Sequence, residues 1–216
     1  MLKPANEPGF DYKTLVREGY DRCAEEYNRS RQDEASPELR LLISRLDRDV
    51  SVLDIGCGGG IPVCRELART CSVIGVDISP VQIAFARQNV PSGHFLCGDI
   101  MTMVFSEASF DAVVSFYAIF HIPKEEHEEL FRRIYRWLKP KGYLLTSVTI
   151  ENEDPYTEDD FFGVRMYWSN YGLTEYKRML LDIGFSLLEG TQLGHGFKEG
   201  VKSEQEVHPL TLAQKP

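Results

Sequence analysis

The sequence lacks any apolar run that approaches the roughly 18 residues a helix needs to cross a membrane. Its first residues also lack the apolar core of a secretion signal. We therefore expect a cytoplasmic protein with no membrane partner. No internal repeat or low-complexity tract interrupts the 216 residues. Because 43% of the residues are hydrophobic, the chain can bury a substantial core.

Paired metal-binding and disulfide motifs are also missing. The chain has five cysteines, an odd number, and none of them forms a Cys-x-x-Cys pair. Its five histidines show no His-x-x-x-His spacing. These patterns predict reduced thiols and no bound metal.

The chain has fewer basic residues than acidic ones. Lysine and arginine number 24 against 33 aspartates and glutamates, and the net charge is −9. Because nucleic-acid binding depends on a positively charged face, this balance disfavours a nucleic-acid partner. The length fits one α/β domain with a small lid, and we expect a monomer or a homodimer.

What the sequence does contain is an alternation of strands and helices. Capping residues followed by proline, as in Ser36-Pro37 and Ser79-Pro80, mark where two of the helices begin. The alternation indicates a doubly wound, largely parallel α/β sheet, and the last two strands, with no helix between them, should pair antiparallel. The predicted strands are 50–55, 72–77, 93–96, 110–115, 143–150, 185–188 and 207–213, and the predicted helices are 12–33, 36–46, 62–70, 80–89, 124–138 and 174–182.

A glycine-dense turn follows the first of these strands, in the segment from Val52 to Gly60. Glycine has no Cβ and tolerates positive φ, so the backbone there can approach a ligand closely. A helix that begins after the turn directs its N-terminal amides at that ligand. The dinucleotide fingerprint Gly-x-Gly-x-x-Gly is absent, because Ile61 or Val63 occupies the place of its third glycine. A nicotinamide-dependent oxidoreductase is therefore disfavoured.

Four further motifs follow the turn in a fixed order. Together with Asp54-x-Gly56-x-Gly58-x-Gly60, they resemble the motif series of the class I S-adenosylmethionine-dependent methyltransferases, over about residues 50–150, and most closely that family's small-molecule branch. The four motifs are Gly75-Val76-Asp77-Ile78-Ser79, Cys97-Gly98-Asp99-Ile100, Phe110-Asp111-Ala112-Val113-Val114-Ser115 and Leu138-Lys139-Pro140-Lys141-Gly142-Tyr143-Leu144.

The resemblance implies a seven-stranded Rossmann-like sheet of order 3-2-1-4-5-7-6 whose last strand is antiparallel. It divides the chain into an N-terminal helical lid, 1–48, and a methyltransferase domain, 49–216, with an aromatic lid insertion at about 151–172. Pro209 departs from the family pattern, because it falls inside a last strand that lies between two others. Either that strand begins after Pro209 or it carries a bulge.

The resemblance also implies S-adenosylmethionine, or its product S-adenosylhomocysteine, as the cofactor. In that family, the residue matching Asp77 accepts hydrogen bonds from the ribose diol, and the residue matching Asp99 meets the amino group of adenine. Tyr20 and Tyr27 would close over the methionine end, or else make ordinary core contacts. The predicted cofactor-binding residues are Tyr20, Tyr27, Asp54, Gly56, Cys57, Gly58, Asp77, Ile78, Gln82, Gly98, Asp99, Ile100, Phe116 and Tyr117.

Candidate residues for chemistry follow the fourth and fifth strands. His121 lies where the transferable methyl group should point, and an ordinary histidine pKa of about 6.5 suits a general base. The alternative is that His121 packs on or caps the next helix. Tyr167 and Trp168 are the preferred substrate contacts, with core packing as their alternative. His195 is a weaker candidate, and six acidic residues within 151–160 predict a solvated loop.

These features predict methyl transfer to an oxygen, nitrogen, sulfur or carbon atom of a small molecule. Nucleic-acid amino-group methyltransferases of the same family carry (Asp/Asn/Ser)-Pro-Pro-(Tyr/Phe) after the fourth strand, where this chain has Ser115-Phe116-Tyr117-Ala118. That difference argues against DNA or RNA methylation. The alternative function is a non-catalytic cofactor-binding module, or a methyltransferase subunit that acts on a protein partner. The acceptor and its pathway stay open.

Overall fold

A seven-stranded sheet forms the centre of the fold. The computed structural model describes residues 3–4, 10–194, 197–198 and 207–216. Its strands are β1 (Lys3–Pro4), β2 (Ser51–Ile55), β3 (Ser72–Asp77), β4 (His94–Cys97), β5 (Phe110–Ser115), β6 (Leu138–Ser147), β7 (Glu153–Phe161), β8 (Val164–Asn170), β9 (Ser186–Gly194) and β10 (Val207–Gln214). Its α-helices are α1 (Tyr12–Ser30), α2 (Pro37–Ser44), α3 (Val63–Leu67), α4 (Pro80–Asn89), α5 (Lys124–Trp137) and α6 (Leu173–Ile183).

The strand order of the central sheet is β4-β3-β2-β5-β6-β10-β9. The first five of these strands run parallel, and β10 pairs antiparallel with both β6 and β9. Numbered along the chain, this order is 3-2-1-4-5-7-6, so the predicted topology is confirmed. Because the parallel strands share one direction, their carboxyl ends, and the loops that follow them, meet at one edge of the sheet.

Helices cover both faces of the sheet because its central strands are apolar on both faces. Val113 packs with α5 and α6 in one core cluster. Its neighbours Ala112 and Val114 point the other way and pack with α2, α3 and α4. The alternation follows from the two-residue period of a strand. Ser36 caps helix α2, because its hydroxyl accepts from the Leu39 N–H at 3.2 Å, as the cap-plus-proline signal predicts.

The N-terminal helix lies across the carboxyl edge of the sheet. Helix α1 begins at the Asp11 cap and ends at Ser30, before the predicted residue 33, because Arg31 adopts an extended conformation. Its buried residues Val16 and Cys23 form a third apolar cluster with Phe161, Val164, Met166 and Tyr167 of β7 and β8. The cluster joins α1 to strands β7 and β8. The predicted boundary between residues 48 and 49 stays a prediction.

The segment predicted to contain a solvated acidic loop instead forms an antiparallel hairpin, while its role as a lid stays a prediction. Strands β7 and β8 pair with each other, and β1 adds a third strand. The turn between them consists of Phe162 and Gly163, at φ of 52° and 72°, the sign that a tight two-residue hairpin turn requires. The prediction of a solvated loop at 151–160 was therefore wrong. The acidic residues of β7 obscured the strand, since only Thr157 and Phe161 of that strand are buried.

Several other boundaries differ from their predictions. Helix α3 spans only Val63–Leu67 instead of 62–70, strand β6 begins at Leu138 instead of residue 143, and β9 extends to Gly194. Pro209 lies inside β10, which begins at Val207, and the ladder with β6 starts only at the next residue, Leu210. Proline therefore sits beyond the doubly paired part of the strand. The irregularity of β10 falls between Leu212 and Ala213, where its register with β9 shifts.

Candidate active site

A cavity lies at the carboxyl edge of the sheet, between the ends of the strands and helix α1. The loops after β2, β3, β4 and β5 form the floor of the cavity, and α1 forms its roof. The lining residues are Tyr12, Lys13, Val16, Tyr20, Tyr27, Ile55, Gly56, Gly58, Val76, Asp77, Ile78, Gln82, Gly98, Asp99, Ile100, Phe116, Tyr117, Ala118, His121 and Ile122.

The glycine turn after β2 gives the cavity its backbone wall. Gly56 and Gly58 have φ of 71° and 51°, which residues with a Cβ rarely adopt. The N–H groups of Gly56 and Cys57 donate to the Val76 carbonyl at 2.8 and 3.0 Å and hold the turn against β3. A Cβ on Gly58 would have only Gln82 Oε1 within 4 Å, at 3.9 Å, so it would project into the cavity. The turn is thus shaped to admit a ligand against bare backbone.

Asp77 stands at the end of β3 and faces the cavity. Its Oδ2 accepts from the Gly58 N–H at 2.8 Å, and its Oδ1 accepts from the Ser79 N–H at 2.9 Å. Burial raises the pKa of its carboxyl group to about 6, against the pull of these two backbone donors. The carboxylate is therefore oriented by the chain itself and retains lone pairs for a ligand.

Asp99, after β4, pairs with a lysine that the sequence reasoning missed. Asp99 Oδ2 accepts from Lys13 Nζ at 2.6 Å, and Oδ1 accepts from the Met101 N–H at 2.9 Å. Lys13 belongs to α1, so this ion pair joins the roof of the cavity to its floor. A signal for it exists in the sequence, because Lys13, Val16, Tyr20 and Tyr27 follow helical spacing and therefore share one face.

His121 is buried, and both of its ring nitrogens are engaged. Its Nδ1 lies 2.8 Å from the Tyr167 carbonyl oxygen, and its Nε2 lies 2.8 Å from the Tyr20 hydroxyl. A carbonyl only accepts, so Nδ1 carries the proton and Nε2 accepts from Tyr20. Burial lowers the pKa of the imidazole to about 4, so the ring is neutral at neutral pH.

Tyr167 and Trp168, the predicted substrate contacts, do not line the cavity. The Tyr167 side chain is buried in the cluster with α1, its ring 5.3 Å from that of Tyr12, and only its carbonyl serves His121. The Trp168 ring lies 4.5 Å from the His121 ring, measured between centroids, and is tilted by 40° to it. Successive residues of β8 face opposite sides of the strand, so Tyr167 packs against α1 and Trp168 packs against His121. The two side chains therefore contact residues that line the cavity and do not line it themselves.

Asp54 and Cys57 also lie outside the cavity lining, although both were predicted to bind the cofactor. Asp54 is only 2% exposed, and its carboxyl group accepts from the Cys64 thiol at 3.1 Å. Burial raises the pKa of Asp54 to about 7. Cys57, within the turn, is also buried, and its side chain packs in the same core cluster as Cys64. A residue that ends a buried parallel strand points into the core as readily as toward the ligand, and the motif alone does not distinguish the two.

The remaining predicted residues do meet in the cavity. They come from five separate segments, and Tyr117 among them has a φ of 57°, held by its N–H donating to Ser147 Oγ at 2.6 Å. Backbone strain of this kind is concentrated at functional sites. The predicted residues that line the cavity are Tyr20, Tyr27, Gly56, Gly58, Asp77, Ile78, Gln82, Gly98, Asp99, Ile100, Phe116, Tyr117 and His121, and the lining residues not predicted are Tyr12, Lys13, Val16, Ile55, Val76, Ala118 and Ile122.

The other sequence predictions concern His195, metal binding and membrane-spanning helices. His195 lies outside the described residues. Within the part of the chain that the structure describes, no three His, Cys, Asp or Glu side chains gather as metal ligands. In the same part, none of the helices combines the length and the apolar character needed to span a bilayer.

The sheet order, the glycine turn and the position of the cavity define the class I S-adenosylmethionine-dependent methyltransferase fold. Residues 52–142 match the family model described as a methyltransferase domain. Among solved structures, 1,6-didemethyltoxoflavin-N1-methyltransferase of Burkholderia thailandensis, with bound 1,6-didemethyltoxoflavin and S-adenosylhomocysteine, superposes with a TM-score of 0.72. The two are 18% identical, and the match covers 99% of this chain and 94% of that one, so the likeness concerns the fold.

Curated relatives resemble this chain in part of their sequence. The phosphoethanolamine N-methyltransferase of Plasmodium falciparum is 34% identical over 121 residues, which cover 54% of this chain and 45% of that protein. The sterol 24-C-methyltransferase of Saccharomyces cerevisiae is 40% identical over 105 residues, covering 45% of this chain and 27% of that protein. The chain thus spans less than half the length of these relatives. Residues 52–142 match a methyltransferase domain, and the sheet that contains them has the Rossmann-like methyltransferase fold.

Proposed function

We propose that the protein transfers a methyl group from S-adenosylmethionine to a small-molecule acceptor and releases S-adenosylhomocysteine. The observation that carries the proposal is the meeting, in one cavity, of the bare glycine turn, two carboxylates and the Tyr20–His121 pair. The fold alone does not decide function, because one fold hosts many activities. The chemistry of these side chains therefore carries the argument.

The cavity suits the cofactor in shape and in donor chemistry. Space for a ligand lies where a Cβ on Gly58 would project. The Asp77 carboxylate is positioned to accept from a ribose diol, and Asp99 to accept from the amino group of adenine. The buried side-chain amide nitrogen of Gln82 has no hydrogen-bond partner among the described residues, which fits a ligand oxygen. When bound, S-adenosylmethionine supplies a methyl group activated on a sulfonium.

Tyr20 and His121 form a path for a proton. Because the Tyr20 hydroxyl already donates to His121 Nε2, a proton leaving the acceptor is taken by the Tyr20 oxygen while the hydroxyl proton passes to Nε2. The Tyr167 carbonyl, 2.8 Å from Nδ1, favours the imidazolium that results. His121 therefore serves as a base through Tyr20, which changes the direct role first proposed for it.

The acceptor is a small molecule with an oxygen, nitrogen, sulfur or carbon nucleophile. The aromatic residues Tyr20, Phe116 and Tyr117, which line the cavity together with His121, favour an acceptor with an apolar or flat portion. The named relatives methylate nitrogen in one case and carbon in the other, which supports a small acceptor without fixing its reacting atom. The net charge of −9 disfavours a nucleic acid. We further propose a cytoplasmic monomer or homodimer that uses no metal.

Methyl transfer from labelled S-adenosylmethionine tests this function. The purified chain is incubated with the labelled cofactor and a panel of amines, phenols, thiols and sterols, and label is measured in each acceptor. We expect at least one acceptor to gain label in wild type and to lose most of it in His121→Asn. Cofactor binding without labelling of any small acceptor would instead favour the alternative, a non-catalytic binding module or a subunit that acts on a protein partner.

A further inference from the structure

The carboxamide of Gln82 is held in one orientation inside the cavity wall. The side chain is fully buried at 0% exposure, and Gln82 lines the cavity. Its Oε1 accepts from the Asn28 side-chain Nδ2 at 2.9 Å. Its Nε2 has no hydrogen-bond partner in the part of the chain that the structure describes. A buried donor without a partner is costly, so its presence beside a cavity points to a ligand that accepts from it.

Asn28, which donates to that carboxamide, is itself packed against the glycine turn. It lies near the end of α1, and its side chain packs directly on the glycine turn. A Cβ on Gly59 would lie 2.5 Å from Asn28 Oδ1, so the asparagine occupies the space that a larger residue there would need. On its other side, the Gly59 carbonyl accepts from Asn89 Nδ2 at 2.8 Å, which fixes the turn.

We propose that Asn28 is a positioning residue that sets the hydrogen-bond polarity of Gln82 toward the cofactor. With Oε1 bound to the Asn28 side chain, Nε2 is the amide atom of Gln82 that is left without a partner among the described residues, and it donates to an oxygen of the bound cofactor. That oxygen is either a ribose hydroxyl or the carboxylate of the amino-acid end. The inference rests on the proposed function, because it takes S-adenosylmethionine or its product as the ligand.

The arrangement gives α1 a direct effect on the cofactor site. Asn28 is on the same helix as Lys13 and Tyr20, whose partners Asp99 and His121 also line the cavity. When α1 lies as the structure shows, Gln82 is oriented to donate. The Asn28–Gln82 contact thus couples α1 to the donor that faces the cofactor.

Asn28→Asp reverses the polarity. An aspartate carboxylate only accepts, so Gln82 rotates to donate Nε2 to it and presents Oε1 to the cofactor oxygen. We expect the dissociation constant of S-adenosylhomocysteine, measured by calorimetry on the full chain, to rise about tenfold or more. Asn28→Ala leaves Gln82 free to rotate, and we expect a smaller rise, about threefold. Thermal unfolding without ligand shows whether each variant is folded.

A double-mutant cycle of Asn28→Asp with Gln82→Met separates the orientation of Gln82 from the charge that the aspartate adds. In a Gln82→Met background there is no carboxamide to orient, so Asn28→Asp should have no further effect on the affinity. An effect of the same size in both backgrounds would overturn the inference, because Asn28 would then act without Gln82. Unchanged affinity in Asn28→Asp itself would overturn it as well, while leaving the proposed function intact.

Binding of a second ligand, methylthioadenosine, identifies which oxygen of the cofactor accepts from Gln82. Methylthioadenosine keeps the ribose and lacks the amino-acid end. Weaker binding of both ligands by Asn28→Asp supports the ribose hydroxyl, and weaker binding of S-adenosylhomocysteine alone supports the carboxylate. If wild type binds neither ligand, the proposed function fails and this inference fails with it, which is a different result from binding that ignores Asn28.

Discussion

At the scale of single residues, burial shifts the protonation of one group that lines the cavity, His121, and of one group in the core beneath it, Asp54. His121 is neutral because burial lowers its pKa to about 4, and Asp54 binds its proton tightly because burial raises its pKa to about 7. A residue in such an environment responds to pH differently in the folded and unfolded chain.

Tyr20→Phe removes the hydroxyl that faces His121 and leaves the ring that lines the cavity. We expect the turnover number to fall by about 10²–10⁴-fold, since that is the usual contribution of a positioned acid or base. Affinity for S-adenosylhomocysteine should change by no more than about threefold, because the ring contacts remain. Labelled methyl transfer and calorimetry measure the two quantities.

Tyr12→Phe is the matched control for this variant. It removes a hydroxyl from the same helix, but one that donates to Glu126 Oε1 at 3.2 Å and not to His121. Turnover by Tyr12→Phe should stay near that of wild type. Equal turnover in all three proteins would contradict the proton path.

Asp54→Asn tests the cost of ionising a buried carboxyl group. The folded pKa of Asp54 lies above its ordinary value of 3.8, so its contribution to stability is complete below about pH 4 and is lost as the pH rises through about 7. The amide cannot ionise and still accepts from the Cys64 thiol. We expect the variant to gain about 1–3 kcal/mol of unfolding free energy relative to wild type between about pH 4 and 8.

Urea unfolding across that pH range measures the difference. The buried histidines, whose lowered pKa values destabilise the fold on acidification, are present in both proteins and cancel in the comparison. Asp47→Asn, at an exposed aspartate, supplies the control with no expected gain. If the difference in unfolding free energy between Asp54→Asn and wild type does not vary with pH, then ionisation of Asp54 does not destabilise the fold.

At the scale of elements, turns with positive φ have two separate functions. The turn after β2 brings bare backbone to the cavity, whereas the turn between β7 and β8 only closes a hairpin. Gly58 and Gly163 have φ of 51° and 72°. A Cβ would project into the cavity at Gly58 and would meet nothing within 4 Å at Gly163.

Substituting alanine at each of these glycines separates conformation from ligand space. Both variants should lose about 1–2 kcal/mol of stability, because alanine at positive φ is strained. Only Gly58→Ala should also weaken S-adenosylhomocysteine binding, by about tenfold or more, since its Cβ takes ligand space. Chemical unfolding and calorimetry give the two results. Equal ligand affinity in both variants would mean that the cofactor does not lie against Gly58.

Most of these elements are predictable from the sequence because their signals are local. The strands at the centre of the sheet are apolar on both faces, and Ser36 and Ser79 cap their helices as predicted. Strand β7 was missed because its long acidic run leaves little apolar alternation. Its pairing with β8 and β1 is a tertiary property, and packing of Phe161 against α1 stabilises it. Propensity alone does not contain that contact.

At the scale of the whole molecule, the order of motifs along the chain determines the site. Consecutive loops at one sheet edge bring Gly58, Asp77, Asp99 and His121 together, and this much follows from the topology. What the sequence did not reveal depends on side-chain direction. Asp54 turns into the core, Lys13 reaches across to Asp99, and Tyr20 engages the nitrogen that His121 was expected to use directly.

A ligand that binds only the folded chain should stabilise the entire fold. S-adenosylhomocysteine at about 100 times its dissociation constant should add about 2.7 kcal/mol to the free energy of unfolding. Urea unfolding with and without the ligand measures this gain. NAD at the same concentration should give none, because the third glycine of the dinucleotide fingerprint is absent. Equal stabilisation by NAD would contradict the specificity that we propose for the cavity.

Calorimetric titration with S-adenosylhomocysteine tests the central claim most directly. We expect a micromolar dissociation constant for wild type and a value about tenfold or more higher for Asp77→Asn, whose amide no longer offers two anionic oxygens to a ribose diol. Asp47→Asn, at the exposed aspartate, should bind like wild type. The absence of binding by wild type would contradict the account, because the glycine turn, Asp77 and Asp99 would then serve some other ligand or none.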